Sequence, residues 1–346
     1  MLFGDKIKNE IKKRSEINPL WDYDLLETTA HNSLAAYTNT INAGNQEYLK
    51  ALVTTQYAEY VEAMLAYMRA NGLSVKSERK IWRFKITKIS APEDLDSWFI
   101  AEVGVSNEDT LYEYGKIANE YAESAADNRE VWQFMLNNNQ WKLASRSIDI
   151  QFSNKTTTEA LTAFANRNNY VTSGFTENWF ATRDSWLTPI GNADILFSGV
   201  SAFDRMNNNV LYQIAEINRQ NSDGFEGSYL IGHTKLAKQY EKIVIIPKVQ
   251  IRNGKKIDSK DRIALEWPQF NERFLFYASS TERVSALELV NPKFMQELYN
   301  MNSLAIVDIV GDRALVFVYL DNNLLTEQDI LQMQQILQMV EKELAK

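Results

Sequence analysis

Residues 57–87 read YAEYVEAMLAYMRANGLSVKSERKIWRFKIT, and a change of period inside this stretch decides the fold class. Up to Ala70 the apolar side chains recur at helical spacing, with Tyr57, Tyr60, Val61, Met64, Leu65 and Met68 on one face. Asn71-Gly72 then supplies a left-handed stop, because glycine enters positive φ without a Cβ clash. Beyond it the pattern alternates. Trp82, Phe84 and Ile86 point one way, and Arg83, Lys85 and Thr87 the other, as in a half-buried strand. The expectation is an α+β unit in which the Trp82–Phe84–Ile86 face meets the helix.

Upstream, an amphipathic helix is expected over 24–43, marked by Leu25, Leu26, Leu34, Tyr37 and Ile41. A second is expected over 46–70 as one piece, running from Leu49, Leu52 and Val53 into the quoted stretch. Ahead of both, residues 3–17 (FGDKIKNEIKKRSEI) place Phe3, Ile7 and Ile11 on one face. Lys6, Lys8, Lys12, Lys13 and Arg14 decorate the rest. Such a segment can lie on anionic lipid or be a frayed or docked terminal helix with a solvated charged face. Three apolar residues bury little area, which favours the second reading. Downstream, 97–105 gives a second strand and 110–125 is ambiguous. VWQFML at 131–136 and Trp141-Lys142-Leu143 form a hairpin through Asn137-Asn138-Asn139, since asparagine tolerates left-handed backbone.

The polar stretch QFSNKTTT at 151–158 marks a boundary. The chain therefore divides into an N-terminal helix (1–20), an α+β domain (21–150), a linker with a connecting helix (151–170, the helix over 159–170) and a second α+β domain (171–346). In the second domain, short strands are expected around 193–200, 209–217, 226–232 and 242–251, with a turn at Asn253-Gly254. Residues 269–278 and 283–300 carry helical or mixed signals. Ala305–Val310, Gly311-Asp312 and Ala314–Leu320 read as a hairpin. The last helix, 326–345, opens on a capping box of Thr326 and Asp329. It carries the stripe Ile330, Met333, Leu337, Val340 and Leu344.

Composition removes whole classes of function. With 37 Lys and Arg against 45 Asp and Glu, the chain lacks the cationic footprint of a general nucleic-acid binder. Its basic part is residues 1–20. The absence of Cys removes disulfides, thiolate catalysis and Cys-ligated metal sites. No run reaches the roughly 18 apolar residues that a spanning helix needs, and the charged start is unlike a secretory signal. The expected place is the cytoplasm, at most peripheral to the inner face of the membrane.

No motif assigns chemistry. The two histidines, His31 and His233, stand apart and fall in no zinc-binding spacing. Gly224-Phe225-Glu226-Gly227 lacks the ending of a phosphate loop and reads as a turn between strands. Asp22 and Asp24 precede a helix, where acidic groups suit the dipole. Lys248, Arg252, Lys255, Lys256, Lys260 and Arg262 form a basic patch at a hairpin tip, diluted by Asp258 and Asp261. No catalytic residue, metal or cofactor is assigned.

Two stretches, AGNQEYLKALVTTQYAEYVEAMLAYMRANGL (43–73) and VWQFMLNNNQWKLASRSID (131–149), resemble the C-terminal domain of the mitochondrial inner-membrane import translocase subunit forty-four and its bacterial relatives. Those belong to the nuclear-transport-factor-two-like superfamily. The likeness rests on Leu49, Leu52, Thr54, Tyr57, Gly72, Trp132, Phe134, Trp141 and Leu143. It implies a cone-like antiparallel sheet wrapped around helices, an apolar pocket, and binding of lipid or partner proteins. Residues from about 170 onward are similar to a bacterial family of unknown function, number 3137. The matching stretches are GFEGSYLIG (224–232), KIVIIP (242–247) and WPQFNERFLFYASSTERVSALELVNPKFMQEL (267–298). That family implies no activity. Many of its members carry membrane helices upstream, which this chain lacks.

The resulting expectation is a non-enzymatic binding or scaffold protein. It would engage a lipid, another apolar ligand or a protein partner at the cytoplasmic side of the envelope. Tyr57, Tyr60, Met64, Trp82, Phe84, Trp98, Glu102, Trp132 and Trp141 are the candidates to line its pocket. The alternative implied by the superfamily is an isomerase or hydratase in which Glu102, near Tyr57 or Tyr60, is a buried carboxylate.

Overall fold

The computed structural model describes residues 3–92, 94–123, 129–148, 155–173, 193–196, 201–204, 211–219, 227–248, 259–301, 305–320 and 325–345. The fold is α+β. Contacts divide the chain into two units. One holds Met1–Gln151 with Ser173–Phe175, and the other Phe152–Thr172 with Thr176–Lys346. Expressed separately, residues 1–150 and 159–346 should each unfold in a single cooperative transition by circular dichroism. A molten or insoluble pair would refute the division.

In the first unit, helix α1 (Phe3–Ile17) leads through a short 3-10 turn at Pro19–Trp21 into α2 (Tyr23–Ala43). Asp22 caps α2 by accepting from the Leu25 N–H at 3.1 Å, which accounts for the Asp-x-Asp pair. The helix expected over 46–70 is two helices, α3 (Glu47–Leu52) and α4 (Thr55–Ala70). The break has a physical cause. Val53 is extended (φ −125°, ψ 164°) and bridges to Leu143, while the Thr54 hydroxyl caps α4. The Thr54 N–H donates to the Leu143 carbonyl at 2.9 Å, so the break ties the helices to the sheet.

The sheet comprises β1 (Leu73–Ile89), β2 (Trp98–Glu113), β3 (Lys116–Glu123), β4 (Arg129–Asn137) and β5 (Gln140–Ile148), in the order β1-β2-β4-β5 with β3 beside β2. The ambiguous stretch 110–125 is the β2–β3 hairpin, turning at Tyr114-Gly115 (φ 47° and 77°). The β4–β5 hairpin turns at Asn138-Asn139, both left-handed at φ 50° and 59°.

One expectation about β1 fails. Trp82 does not share the face of Phe84 and Ile86. Ile81 pairs with Val105 and Arg83 with Gly104, so Trp82 is the extra residue of a β-bulge. The bulge reverses the alternation. Val75 and Ser77 face the core before it, and Ile86 after it. Trp82 turns outward, 44% exposed, and lies over Gly104, where an added Cβ would come within 2.4 Å of the ring.

The second unit begins with α5 (Lys155–Arg167), starting four residues before the connecting helix expected at 159. Strands β6 (Tyr170–Ser173), β7 (Ala193–Leu196), β8 (Ser201–Asp204), β9 (Leu211–Arg219), β10 (Gly227–Pro247) and β11 (Arg262–Ile263) follow. Then come α6 (Pro268–Arg273), β12 (Phe274–Ala278), α7 (Arg283–Leu289), α8 (Pro292–Asn300), β13 (Ala305–Tyr319) and α9 (Glu327–Leu344). Among the described residues the sheet order is β11-β12-β10-β9-β8-β6, with β13 also on β10 and β7 also on β9.

The hairpin expected within 305–320 is instead one strand. β13 stays paired with β10 on both sides of Gly311, from Ala314 opposite Thr234 to Ile309 opposite Ile243. Gly311 takes φ 59°, and its left-handed residue bends β13 opposite a bulged part of β10 instead of reversing it. For the same reason the strands expected at 226–232 and 242–251 are one strand, described as far as Pro247. Helix α9 opens on the expected capping box, and Ile330, Met333, Leu337, Val340 and Leu344 are buried. Residues 224–226 and 253–254 of the proposed turns, and Arg252, Lys255 and Lys256 of the basic patch, lie outside the described residues.

Candidate functional site

The interior of the first unit lies between helices α2 and α4 and one face of the sheet. It is filled. Tyr57, Tyr60 and Met64 project from α4 and are buried, as are Trp132 on β4 and Trp141 on β5. Tyr57 stands between Tyr37 and Tyr60, with ring centroids 6.4 and 6.0 Å away. Trp141 meets Phe99 and Trp21 edge-on at 5.0 and 4.9 Å, and its indole N–H donates to the Leu20 carbonyl at 2.6 Å. These five expected pocket residues are core.

Glu102 and Trp98 take the other side of the sheet. Along β2, Phe99, Ala101 and Val103 are buried, while Trp98, Ile100 and Glu102 between them are half-buried. Glu102 therefore points away from the face that packs on Tyr57 and Tyr60. Trp82 shares that outer side. The nine candidates do not converge on one place.

Two buried ion pairs that the sequence reading missed lie in this interior. The Arg146 guanidinium donates to both oxygens of Glu130, from Nε and Nη2, each at 2.9 Å, and the Trp132 indole donates to Glu130 at 2.6 Å. Arg146 is 0% exposed and Glu130 2%. Burial works to lower the Arg146 pKa. The Glu130 carboxylate, with smaller help from Tyr57 and Tyr37, outweighs it and raises the pKa, so the guanidinium stays charged. In the second pair Arg79 donates to Asp109 at 2.8 Å, and Ser77 donates to the same carboxylate at 2.5 Å. Tyr37 links the two, its ring 4.5 Å from the Arg146 guanidinium and 5.5 Å from that of Arg79. The signal was present in the alternation, since Glu130 is in phase with Trp132 and Phe134.

Open space lies elsewhere, where α1 runs along β1, the last strand of the sheet order. A cleft of about 340 Å³ is lined by Ile7, Lys8 and Ile11 of α1, by Tyr23 of α2, and by Arg83, Phe84, Lys85 and Ile86 of β1. Successive residues of β1 all border it, so the cleft sits at the strand edge. Arg14 fixes the helix there. It donates to the Ser90 carbonyl at 2.7 Å, pairs with Glu10 at 3.3 Å and covers the Trp21 ring at 4.8 Å. Ile11 is 1% exposed and Ile7 is half-buried, so these two positions of α1 face the domain.

Tyr23 closes one end. Its hydroxyl donates to the Phe84 carbonyl at 3.4 Å, its ring meets Phe84 edge-on at 6.0 Å, and the Lys8 ammonium lies 5.7 Å from its centroid. Burial, then Glu27 and Asp24, push the Tyr23 pKa up, so the hydroxyl remains a neutral donor. Of the nine expected pocket residues, Phe84 borders this cleft. The other lining residues include two of the apolar positions that the sequence assigned to the docked helix.

His31 is exposed on α2, and His233 is buried on β10. Among the described residues no group of three or more His, Asp or Glu is placed to hold a metal, and no helix is long and apolar enough to cross a membrane.

Residues 224–345 match the family model described as "Protein of unknown function (DUF3137)". No curated protein matches the chain. Among solved structures, the chain is similar to the intermembrane space region of the chloroplast protein ARC6, at 9% identity and a TM-score of 0.26, over 35% of this chain and 94% of that one.

Proposed function

We propose that this chain is a non-enzymatic binding protein whose first unit receives an apolar ligand in the cleft between α1 and β1. The observation that carries this is the lining itself. Ile7, Ile11, Phe84 and Ile86 provide apolar walls around about 340 Å³, within the range of roughly 300–1,000 Å³ common for small-molecule sites. Tyr23, Lys8, Arg83 and Lys85 add the few polar groups that orient a ligand. Binding without chemistry is favoured because Glu130 and Asp109 are each committed to an arginine, and Glu102 faces away from the tyrosines. The resemblance of 21–150 to a lipid- or protein-binding domain agrees with this reading, and we assign the chain the role of a carrier or scaffold at the cytoplasmic side of the envelope.

The neutral, polarity-sensitive dye N-phenylnaphthylamine tests this. Its fluorescence should rise saturably with the full chain, and Ile7→Trp, which fills the cleft from its half-buried wall, should abolish the rise while leaving the circular dichroism unchanged. Equal dye binding by the two proteins would reject the cleft as the site.

A further inference from the structure

Resting on that reading, we infer that the cleft selects a single-chain amphiphile with an anionic head, its chain against Ile7, Ile11, Phe84 and Ile86 and its carboxylate or phosphate between Lys8, Arg83 and Lys85. The chain as a whole carries a net charge of −8, yet the cleft is lined by three cations and no carboxylate. Among the described residues none of the three forms an ion pair. Lys85 is opposite Glu102 in the β1–β2 register without bonding to it. Lys8 contacts an aromatic face, which an arriving anion can supplement without displacing a carboxylate.

The geometry separates the two ends of such a ligand. On β1, Ile86 faces inward and Arg83 and Lys85 face outward, and all border the cleft because it lies at the strand edge. Tyr23 borders the cleft beside Lys8 and Phe84, its hydroxyl kept neutral by burial and by Glu27 and Asp24. A head group would sit among Lys8, Arg83 and Lys85, where charge-assisted hydrogen bonds are available.

Titration calorimetry on the full chain separates the possibilities, using decanoate, decyl phosphate, decanol and decyltrimethylammonium. At least one anionic probe should bind about ten-fold or more tighter than decanol, the equivalent of one net charge-assisted hydrogen bond. Added salt should narrow the gap. The double variant Lys8→Gln, Arg83→Gln should bring the anionic probes to the affinity of decanol and leave decanol unchanged, which also verifies that the apolar walls are intact. A preference for decanoate or for decyl phosphate supports the inference and identifies the head. Decanol or the cationic probe binding as tightly as both anions overturns it. Binding by none of the four would instead sink the apolar-ligand reading itself.

Discussion

Glu130→Ala should destabilise the chain by about 3–5 kcal/mol, the cost of leaving a buried charge without its partner. Arg146 lies wholly within the interior, with the faces of Tyr37 and Trp132 at 4.5 and 5.2 Å. Neither ring replaces the two charge-assisted bonds that Glu130 supplies. The Trp132 indole N–H would lose its acceptor as well. Urea unfolding followed by circular dichroism measures the effect. Glu130→Leu combined with Arg146→Met should be much milder than Glu130→Ala, because desolvation of the ions is removed together with their attraction. A loss below about 1 kcal/mol for Glu130→Ala would mean that the pair is solvated, contrary to its burial.

Gly232→Val should cost about 1–3 kcal/mol through overpacking, although valine suits a strand. Gly232 faces α9 from β10, and an added Cβ would come 2.5 Å from the Met333 sulfur and 2.8 Å from Leu337 Cδ1. Both partners are buried, so they must leave their packed rotamers or move α9 off the sheet. Met333→Ala should cost about 2–5 kcal/mol alone, by leaving a cavity. Combined with Gly232→Val, it should cost less than the sum, by roughly 1 kcal/mol or more, as expected for touching sites. Thermal or urea unfolding of the four proteins closes the cycle. Strict additivity would show that α9 does not rest on Gly232.

Much of the fold was legible because local chemistry and tertiary packing agree. The capping box at Thr326 and the stripe on α9, the stop at Asn71-Gly72 and the Asn138-Asn139 turn all carry their signal in adjacent residues. Where the sequence misled, a distant partner decided. Thr54 leaves the helix because Leu143, far along the chain, accepts its N–H. Gly311 reads as a hairpin turn, yet β10 is long enough to pair with both sides of it. The candidate site was the least legible part. Tyr57, Tyr60, Met64, Trp132 and Trp141 are large, and size serves a core as well as a cavity. The cleft instead draws on α1, where Ile7 belongs to a short apolar stripe and Lys8 to a charged face, neither of which signals a cavity. Arg146 was hidden because its partner across the hairpin is Trp132, reached through a register shift at Gln133/Phe134 that alternation alone does not reveal.

The bulge at Trp82 also bears on how this chain tolerates changes of length. Ile81 and Arg83 already oppose consecutive residues of β2, Val105 and Gly104. Deleting residue 82 would therefore make the ladder continuous from Leu73 to Ile86, with Ile86 still facing the core and Arg83 and Lys85 still at the cleft. Strands usually resist the loss of one residue, since a slip by one exchanges their two faces. Here the exchange has already been absorbed, and position 82 is a place where this strand could shorten by one residue without disturbing what lies on either side.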